Sequence, residues 1–208
     1  MYGLSRLAPP TEEPVSLERA KEHLRVSSAV TADDNLITLW IKAAREMTED
    51  FTGRAWVTST WRLTLANWPA DDDGYGGCVR LPVQPATAVT GVVYRDANGD
   101  SVTMASDGSA YQTWLDHRPP LIAAAPRTVW PTVETGRLAA VQVTFTAGYG
   151  GAAAVPEAAK AAMLLCLGYW YENRGDGRDP TAMLGLPQTL GIPPGARNLL
   201  TTLMTGAY

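Results

Sequence analysis

Cysteine and histidine are scarce in this chain. Among 208 residues there are two of each: Cys78 and Cys166, His23 and His117. So few exclude a disulfide-rich secreted scaffold and a Cys/His structural zinc site. Charge is thin as well, at 18% of residues, with a net charge of −4 and a sequence pI of about 5.2. That balance disfavours a basic nucleic-acid-binding footprint. No apolar h-region follows Met1, so no signal peptide is expected. The longest apolar run, residues 158–171, is shorter than the ~20 residues of a membrane span. The expectation is a soluble intracellular protein with reduced thiols and no membrane partner.

What is present suffices for a core. Hydrophobic residues make up 46% of the chain. At roughly 150 residues per domain the length suggests one or two domains, and a chain of this size folds without disulfides or metals.

Residues 1–15 hold Pro9, Pro10 and Pro14 with little periodicity and read as an extended N-terminal arm. Ser16 is placed to cap a helix running to about Val26, with Leu17, Ala20 and Leu24 on its apolar side and Glu18 favouring the helix dipole. Thr31 is the expected N-cap of a second helix, with Asp34 at its third position. Ile37, Trp40, Ile41, Ala44, Met47 and Phe51 trace its apolar face, and Gly53 suits its end. Asp33, Lys42, Arg45, Glu46, Glu49 and Asp50 fall largely on its other faces.

After Arg54 the period shifts to two. Val57, Ser59, Trp61, Leu63 and Leu65 alternate with Thr58, Thr60, Arg62 and Thr64, which predicts a strand. Residues 67–77 read as a polar, Gly-rich loop. Short strands are expected at 79–81, 88–95, 101–105 and 110–115. Asn98-Gly99 marks a two-residue hairpin, and 138–146 is the clearest later strand. Gly148-Tyr149-Gly150-Gly151 breaks this pattern. Pro156 and Glu157 then open a helix whose stretch 161–171 is apolar nearly all round, so burial on most sides is expected, with Gly175 to end it. Residues 178–194 read as a Gly/Pro-rich linker and 196–204 as a last short helix.

The element order predicts an α+β fold: a small helical body of about four helices with an inserted antiparallel β module. The helical body takes residues 16–54 and 152–175, the β module 55–151, and residues 176–208 form a linker and C-terminal segment.

Candidate chemistry is sparse. Asp71-Asp72-Asp73-Gly74 invites a calcium reading, but Pro82 stands where an EF-hand loop started at Asp71 would need its glutamate; a solvated acidic loop fits better. His23 reads as a surface residue beside Lys21 and Glu22, and His117 as a loop residue before Arg118-Pro119-Pro120. No Gly-x-Ser-x-Gly elbow accompanies either. Cys166 lies in an apolar run and reads as a small hydrophobe. Residues 148–151 sit where a phosphate loop would, without its lysine or hydroxyl. Tyr169-Trp170-Tyr171 reads as packing or as an interface anchor. Two early helices also suggest a helix-turn-helix, but the exposed face of the second is mostly acidic. No catalytic residue, cofactor site or metal site is assigned.

Taken in order, several segments resemble the head–tail connector (adaptor) proteins of long-tailed phages, prophages and gene transfer agents. They are Pro14-Val15-Ser16-Leu17-Glu18-Arg19-Ala20-Lys21-Glu22-His23-Leu24-Arg25-Val26, Ala43-Ala44-Arg45-Glu46 leading to Phe51-Thr52-Gly53-Arg54, Thr60-Trp61-Arg62-Leu63-Thr64-Leu65 and Arg80-Leu81-Pro82. Val143-Thr144-Phe145-Thr146-Ala147-Gly148-Tyr149-Gly150 follows, then the Pro-led helix ending Tyr169-Trp170-Tyr171-Glu172-Asn173-Arg174, then Ile192-Pro193-Pro194-Gly195-Ala196-Arg197-Asn198-Leu199-Leu200. Loops 67–77, 118–136 and 174–191 have no counterpart in that pattern.

The resemblance implies a virion protein of the head–tail junction, assembled in the host cytoplasm, without catalysis. It would form a ring of about twelve copies. The partners implied are the portal protein, a stopper or tail-completion protein, further copies of the chain, and double-stranded DNA that passes through without specific binding. A mildly acidic chain suits a channel along which DNA must slide. Portal docking would fall to the C-terminal segment, with Leu199, Leu200, Leu203 and Met204 as apolar anchors: Leu199 and Leu203, like Leu200 and Met204, are four apart and share a helix face. Tyr169, Trp170 and Tyr171 would serve the subunit interface. The alternatives are a small hydrolase-like enzyme with a site around Asp71–Asp73, Asp116 and His117, and another ring protein of the same junction, a stopper or tail terminator.

Overall fold

A computed structural model describes residues 2–70, 77–173 and 191–204. The fold is α+β, with four α-helices and antiparallel sheets of five and three strands among the described residues. The chain divides into two compact units: Met1–Thr11 with Thr58–Tyr149, and Glu12–Val57 with Gly150–Tyr208.

The first unit is the β module. Its larger sheet has the order β1-β2-β8-β4-β5, formed by β1 (Tyr2–Ala8), β2 (Ser59–Leu65), β8 (Val141–Ala147), β4 (Ala86–Arg95) and β5 (Ser101–Thr103). Register puts Leu63 opposite Val143 and Trp61 opposite Phe145, while Val92 and Val89 meet the same β8 residues from the other side. These apolar positions share the inner face; Leu63, Val92, Val141, Val143 and Phe145 are all buried. Thr60, Arg62 and Thr64 pair with Thr146, Thr144 and Gln142 on the outer face. The smaller sheet runs β3 (Val79–Arg80), β7 (Leu121–Ala124), β6 (Tyr111–Trp114), and buries Val79 and Ile122.

Residues 2–8, within the segment read as an extended arm, are thus an edge strand. Tyr2, Leu4 and Arg6 face Leu65, Leu63 and Trp61, and the Arg6 guanidinium lies 4.3 Å from the Trp61 ring centre. The period-two signal was there, but seven residues followed by Pro9-Pro10 give little of it. Strand β7 was not expected either: Leu121-Ile122-Ala123-Ala124 is a short apolar run after two prolines, and only pairing on both sides makes it a strand. The turn at Asn98-Gly99 differs from the two-residue hairpin. Gly99 N–H donates to Asp96 O at 2.9 Å, and Gly99 alone takes a positive φ, 88°. That is a three-residue loop with a glycine bulge, held by Asp96 Oδ1, which accepts from the Asn98 and Asp100 amides.

The second unit is helical. Helix α1 (Leu17–Leu24) begins at Ser16, whose Oγ accepts the Arg19 amide at 3.2 Å. Helix α2 (Asp34–Thr52) has Asp33 rather than Thr31 at its N-cap position, without a side-chain capping bond, and the Thr31 carbonyl accepts the Asp34 amide in the turn before it. Asp34 instead pairs with Lys21 at 2.7 Å. Lys21 is only 5% exposed and also donates to the carbonyls of Val30 and Ser28, which ties the α1–α2 connection to α1. Gly53 ends α2 with φ 67°. Helix α3 (Glu157–Glu172) packs against α1, α2 and α4 (Pro194–Thr201).

Burial of helix α3 is uneven. Ala159, Ala162, Met163, Cys166 and Leu167 form one buried face, while Leu165 is 38% exposed. Most of its other positions are half-buried, so the all-round apolar composition accompanies one fully buried face and a narrow exposed strip. The polar side of α2 departs from expectation: Arg45, Thr48, Glu49 and Thr52 are buried. Arg45 Nη1 meets Glu49 Oε2 at 3.0 Å, and its Nε meets Glu13 Oε2 at 2.8 Å. The Thr48 and Thr52 hydroxyls return to carbonyls of their own helix. Paired and hydrogen-bonded, these groups enter the core without the full cost of desolvation. Gly175 and residues 178–190 lie outside the described residues, and the last helix begins at Pro194, two residues before the expected start.

Candidate functional site

The polar groups of α2 anchor the helical unit. Glu49 uses one oxygen for Arg45 and the other for the Trp56 backbone amide, at 2.9 Å. The Trp56 indole N–H reaches Thr48 Oγ1 at 2.8 Å. Burial works against the Arg45 charge, but the hydrogen bond and charge of Glu13, with those of Glu49, raise its pKa above the ordinary value. Every member has a partner, so this is a structural clamp with no group left for chemistry.

The C-terminal segment lies on this base. The Arg54 guanidinium Nε donates to the Leu203 carbonyl. The Arg197 guanidinium sits 5.6 Å from the Phe51 ring centre. Gly191, at φ 78°, brings its carbonyl 3.1 Å from the Trp170 indole nitrogen and packs by Met47; a side chain there would be strained.

The four expected apolar anchors do not form one exposed row. Leu200 is fully buried in its own unit, Leu199 and Leu203 are half-buried, and Met204 is 42% exposed. Helix α4 ends at Thr201, so Leu203 and Met204 belong to the turn after it, where their amides donate to Leu200 O and Thr201 O. The spacing of four assumed a helix continuing to 204; the structure ends it earlier.

Tyr169, Trp170 and Tyr171 are each half-buried at the end of α3. Besides Trp170 on Gly191, Tyr171 donates its hydroxyl to Asp33 Oδ2 at 3.1 Å and meets the Trp40 ring edge-on, centroids 6.1 Å apart. The Tyr169 carbonyl accepts from the Asn173 backbone and side chain. The cluster therefore braces α3, α2 and the start of the C-terminal segment while keeping partial exposure.

Among the described residues, those weighed for chemistry are not gathered into a site. Asp71, Asp72 and Asp73 lie outside the described residues. His117 is held by the Pro119 carbonyl, 2.7 Å from Nδ1, and by the Trp114 ring, 4.7 Å between centroids. His23 is exposed. Both cysteines are buried and unbridged, and burial pushes the Cys166 thiol up to about 12. Among the described residues no group of three or more His, Cys, Asp or Glu side chains is placed to hold a metal ion, and no helix is long and apolar enough to cross a membrane.

In the β module a cleft of about 710 Å³ opens between the two sheets. Tyr2, Leu63 and Leu65 line it from one side, and Val79, Leu81 and Pro82 from the other. Trp68 stacks flat on Trp130 with centroids 4.2 Å apart, and their indole nitrogens donate to Pro131 O and Gly77 O. Sequence reasoning missed Lys21, the Arg45–Glu49 pair and this tryptophan stack. The four-residue spacing of Arg45 and Glu49 was the one local signal available.

No family model and no curated protein matches the chain. Solved structures do. The neck of an empty gene transfer agent particle, computed with C6 symmetry, contains a chain that is 25% identical; the match covers 99% of this chain and 97% of that one, with a TM-score of 0.77. The virion of a native gene transfer agent particle contains another match, 25% identical over 99% and 96% of the two chains, TM-score 0.75. The neck of a native particle computed with C12 symmetry gives 24% identity, 99% and 97% coverage and a TM-score of 0.73, and shares the fold. These matches agree with the head–tail connector resemblance read from the sequence.

Proposed function

We propose that this chain is a structural protein of the neck of a gene transfer agent or long-tailed phage particle, acting as its head–tail adaptor. The observation that carries the reading is end-to-end similarity to solved neck chains, a fold match over 99% of this chain and 97% of the other. The motifs that resemble connectors run through both units, in the same order, which supports the same reading independently of the fold match.

In this reading the subunits close into a ring on the portal protein and extend the DNA channel toward a stopper or tail-completion protein. A cyclic ring needs two different, complementary faces on each subunit. Sixfold symmetry in the similar neck is compatible with rings of six or of twelve. The role is mechanical, so it asks for braced units rather than a reactive cleft, and the Arg45–Glu49–Trp56 clamp and the aromatic brace on α3 suit it. Met204, with the half-buried Leu199 and Leu203, is the apolar surface available for portal docking, and Tyr169, Trp170 and Tyr171 the surface for a neighbouring subunit. Leu200 supports the helix from within.

The test is mass photometry of the chain with the portal protein of the same particle. A ring-sized addition to the portal, lost on deleting residues 191–208, is the expected result. A chain that ignores the portal overturns the adaptor role.

A further inference from the structure

The larger sheet has two unlike edges. On one side, β5 is only three residues long and covers only Val93–Arg95 of β4. The rest of that β4 edge is blunted. Register slips at Thr87 and Thr90, and their hydroxyls turn back onto β8: Thr87 Oγ1 lies 2.8 Å from Thr146 Oγ1, and Thr90 Oγ1 donates to Thr144 O at 3.2 Å. Bulges of this kind protect an edge from pairing.

The other edge is β1, and among the described residues no strand covers it. It is seven residues long, holds no proline or lysine, and pairs regularly with β2 from Tyr2 to Arg6. Strand geometry turns the N–H and C=O of every second residue outward there, a row that only another extended backbone satisfies throughout. Side chains on this strand are unusually apolar for their exposure: Tyr2 63%, Leu4 39% and Leu7 43%. The cleft lined by Tyr2, Leu63 and Leu65 opens beside the same edge.

We propose that β1 is a strand-addition site, where an extended segment of a different neck protein pairs with the open edge and places apolar residues at every second position beside Tyr2, Leu4 and the cleft. Main-chain bonds would supply affinity and the alternating side chains selectivity. A second copy fits this edge less well. Pairing β1 with β1 creates a two-fold contact, which a purely cyclic ring does not contain, and pairing β1 with the β4–β5 side meets the bulges. The inference rests on the neck assignment above.

Hydrogen–deuterium exchange on the free chain and on purified particles reads the edge directly. Alternate amides in residues 3–7 are expected to slow by on the order of a hundredfold in the particle, as open amides do on joining a cooperative ladder. A photocrosslinker in place of Ser5 then identifies the neighbour by mass. An adduct with a different neck protein supports the proposal; an adduct of twice this chain's mass, or unchanged exchange in particles that contain the chain, overturns it. Absence of the chain from the particles overturns the neck assignment itself.

A proline scan separates pairing from folding. Of Leu4→Pro and Ser5→Pro, one removes an amide facing β2 and lowers the melting temperature, while the other removes an outward amide and leaves the fold intact. The proposal expects the well-folded variant to lose incorporation into particles; normal incorporation of that variant overturns it.

Discussion

Arg45 and Glu49 stand one turn apart on α2, both buried, their charges 3.0 Å from each other, and Glu49 holds the Trp56 amide with its second oxygen. A buried pair adds little over an apolar replacement of both residues, but removing one member strands the other. Arg45→Ala should therefore cost about 3–5 kcal/mol, read by urea denaturation. The double variant Arg45→Leu with Glu49→Gln removes both charges but keeps an oxygen for the Trp56 amide, and should recover part of that loss. Equal losses in the single and double variants would refute the clamp.

Cys166 supplies a pH dependence. Burial disfavours the thiolate and pushes the Cys166 thiol up to about 12 from an ordinary value of 9.0. A raised folded pKa means stability is intact below the unfolded pKa and falls as pH rises toward the folded one. Unfolding free energy should decline between about pH 9 and 12 with a limiting slope of about 1.4 kcal/mol per pH unit from this group. Cys166→Ala should flatten that decline at a general cost in packing, and native Cys166 should resist a disulfide reagent at pH 8 until the protein unfolds.

Leu200 and Met204 should behave oppositely. Leu200→Ala opens the core of the helical unit and should cost about 2–5 kcal/mol, seen as a lower urea midpoint. Met204→Glu alters an exposed side chain and should change the unfolding free energy by no more than about 0.5 kcal/mol. Portal binding, measured by mass photometry, should weaken with Met204→Glu. Unaltered portal binding would remove this residue from the docking surface.

Trp68 and Trp130 form a stacked pair with centroids 4.2 Å apart and 5° between ring planes. Such a pair should give an exciton signal in circular dichroism that disappears in either Trp68→Phe or Trp130→Phe. Each change also removes an indole hydrogen bond to a carbonyl, at a cost of about 1 kcal/mol. Persistence of the signal in both variants would show that other aromatic groups produce it.

The sequence by itself determined the α+β class, the Ser16 cap, the Gly53 stop, strands β2 and β8, and the connector resemblance. Each follows from local chemistry or from periodicity over a run long enough to count: an N-cap oxygen, a left-handed glycine, seven residues alternating in period two. Tertiary structure decided what depends on neighbours from elsewhere in the chain. Lys21, Arg45 and Glu49 look like solvated charges on amphipathic helices, and become interior groups only because each meets a partner in the fold. Residues 2–8 become a strand because β2 offers them a ladder, and the expected row of Leu199, Leu200, Leu203 and Met204 is split because α4 ends at Thr201 and Leu200 turns inward. Pairing, burial and exposure are relations between distant segments. A linear pattern states which side chains need a partner; only the packed chain settles which of them find one within it and which, like the open edge of β1, are left to meet another molecule.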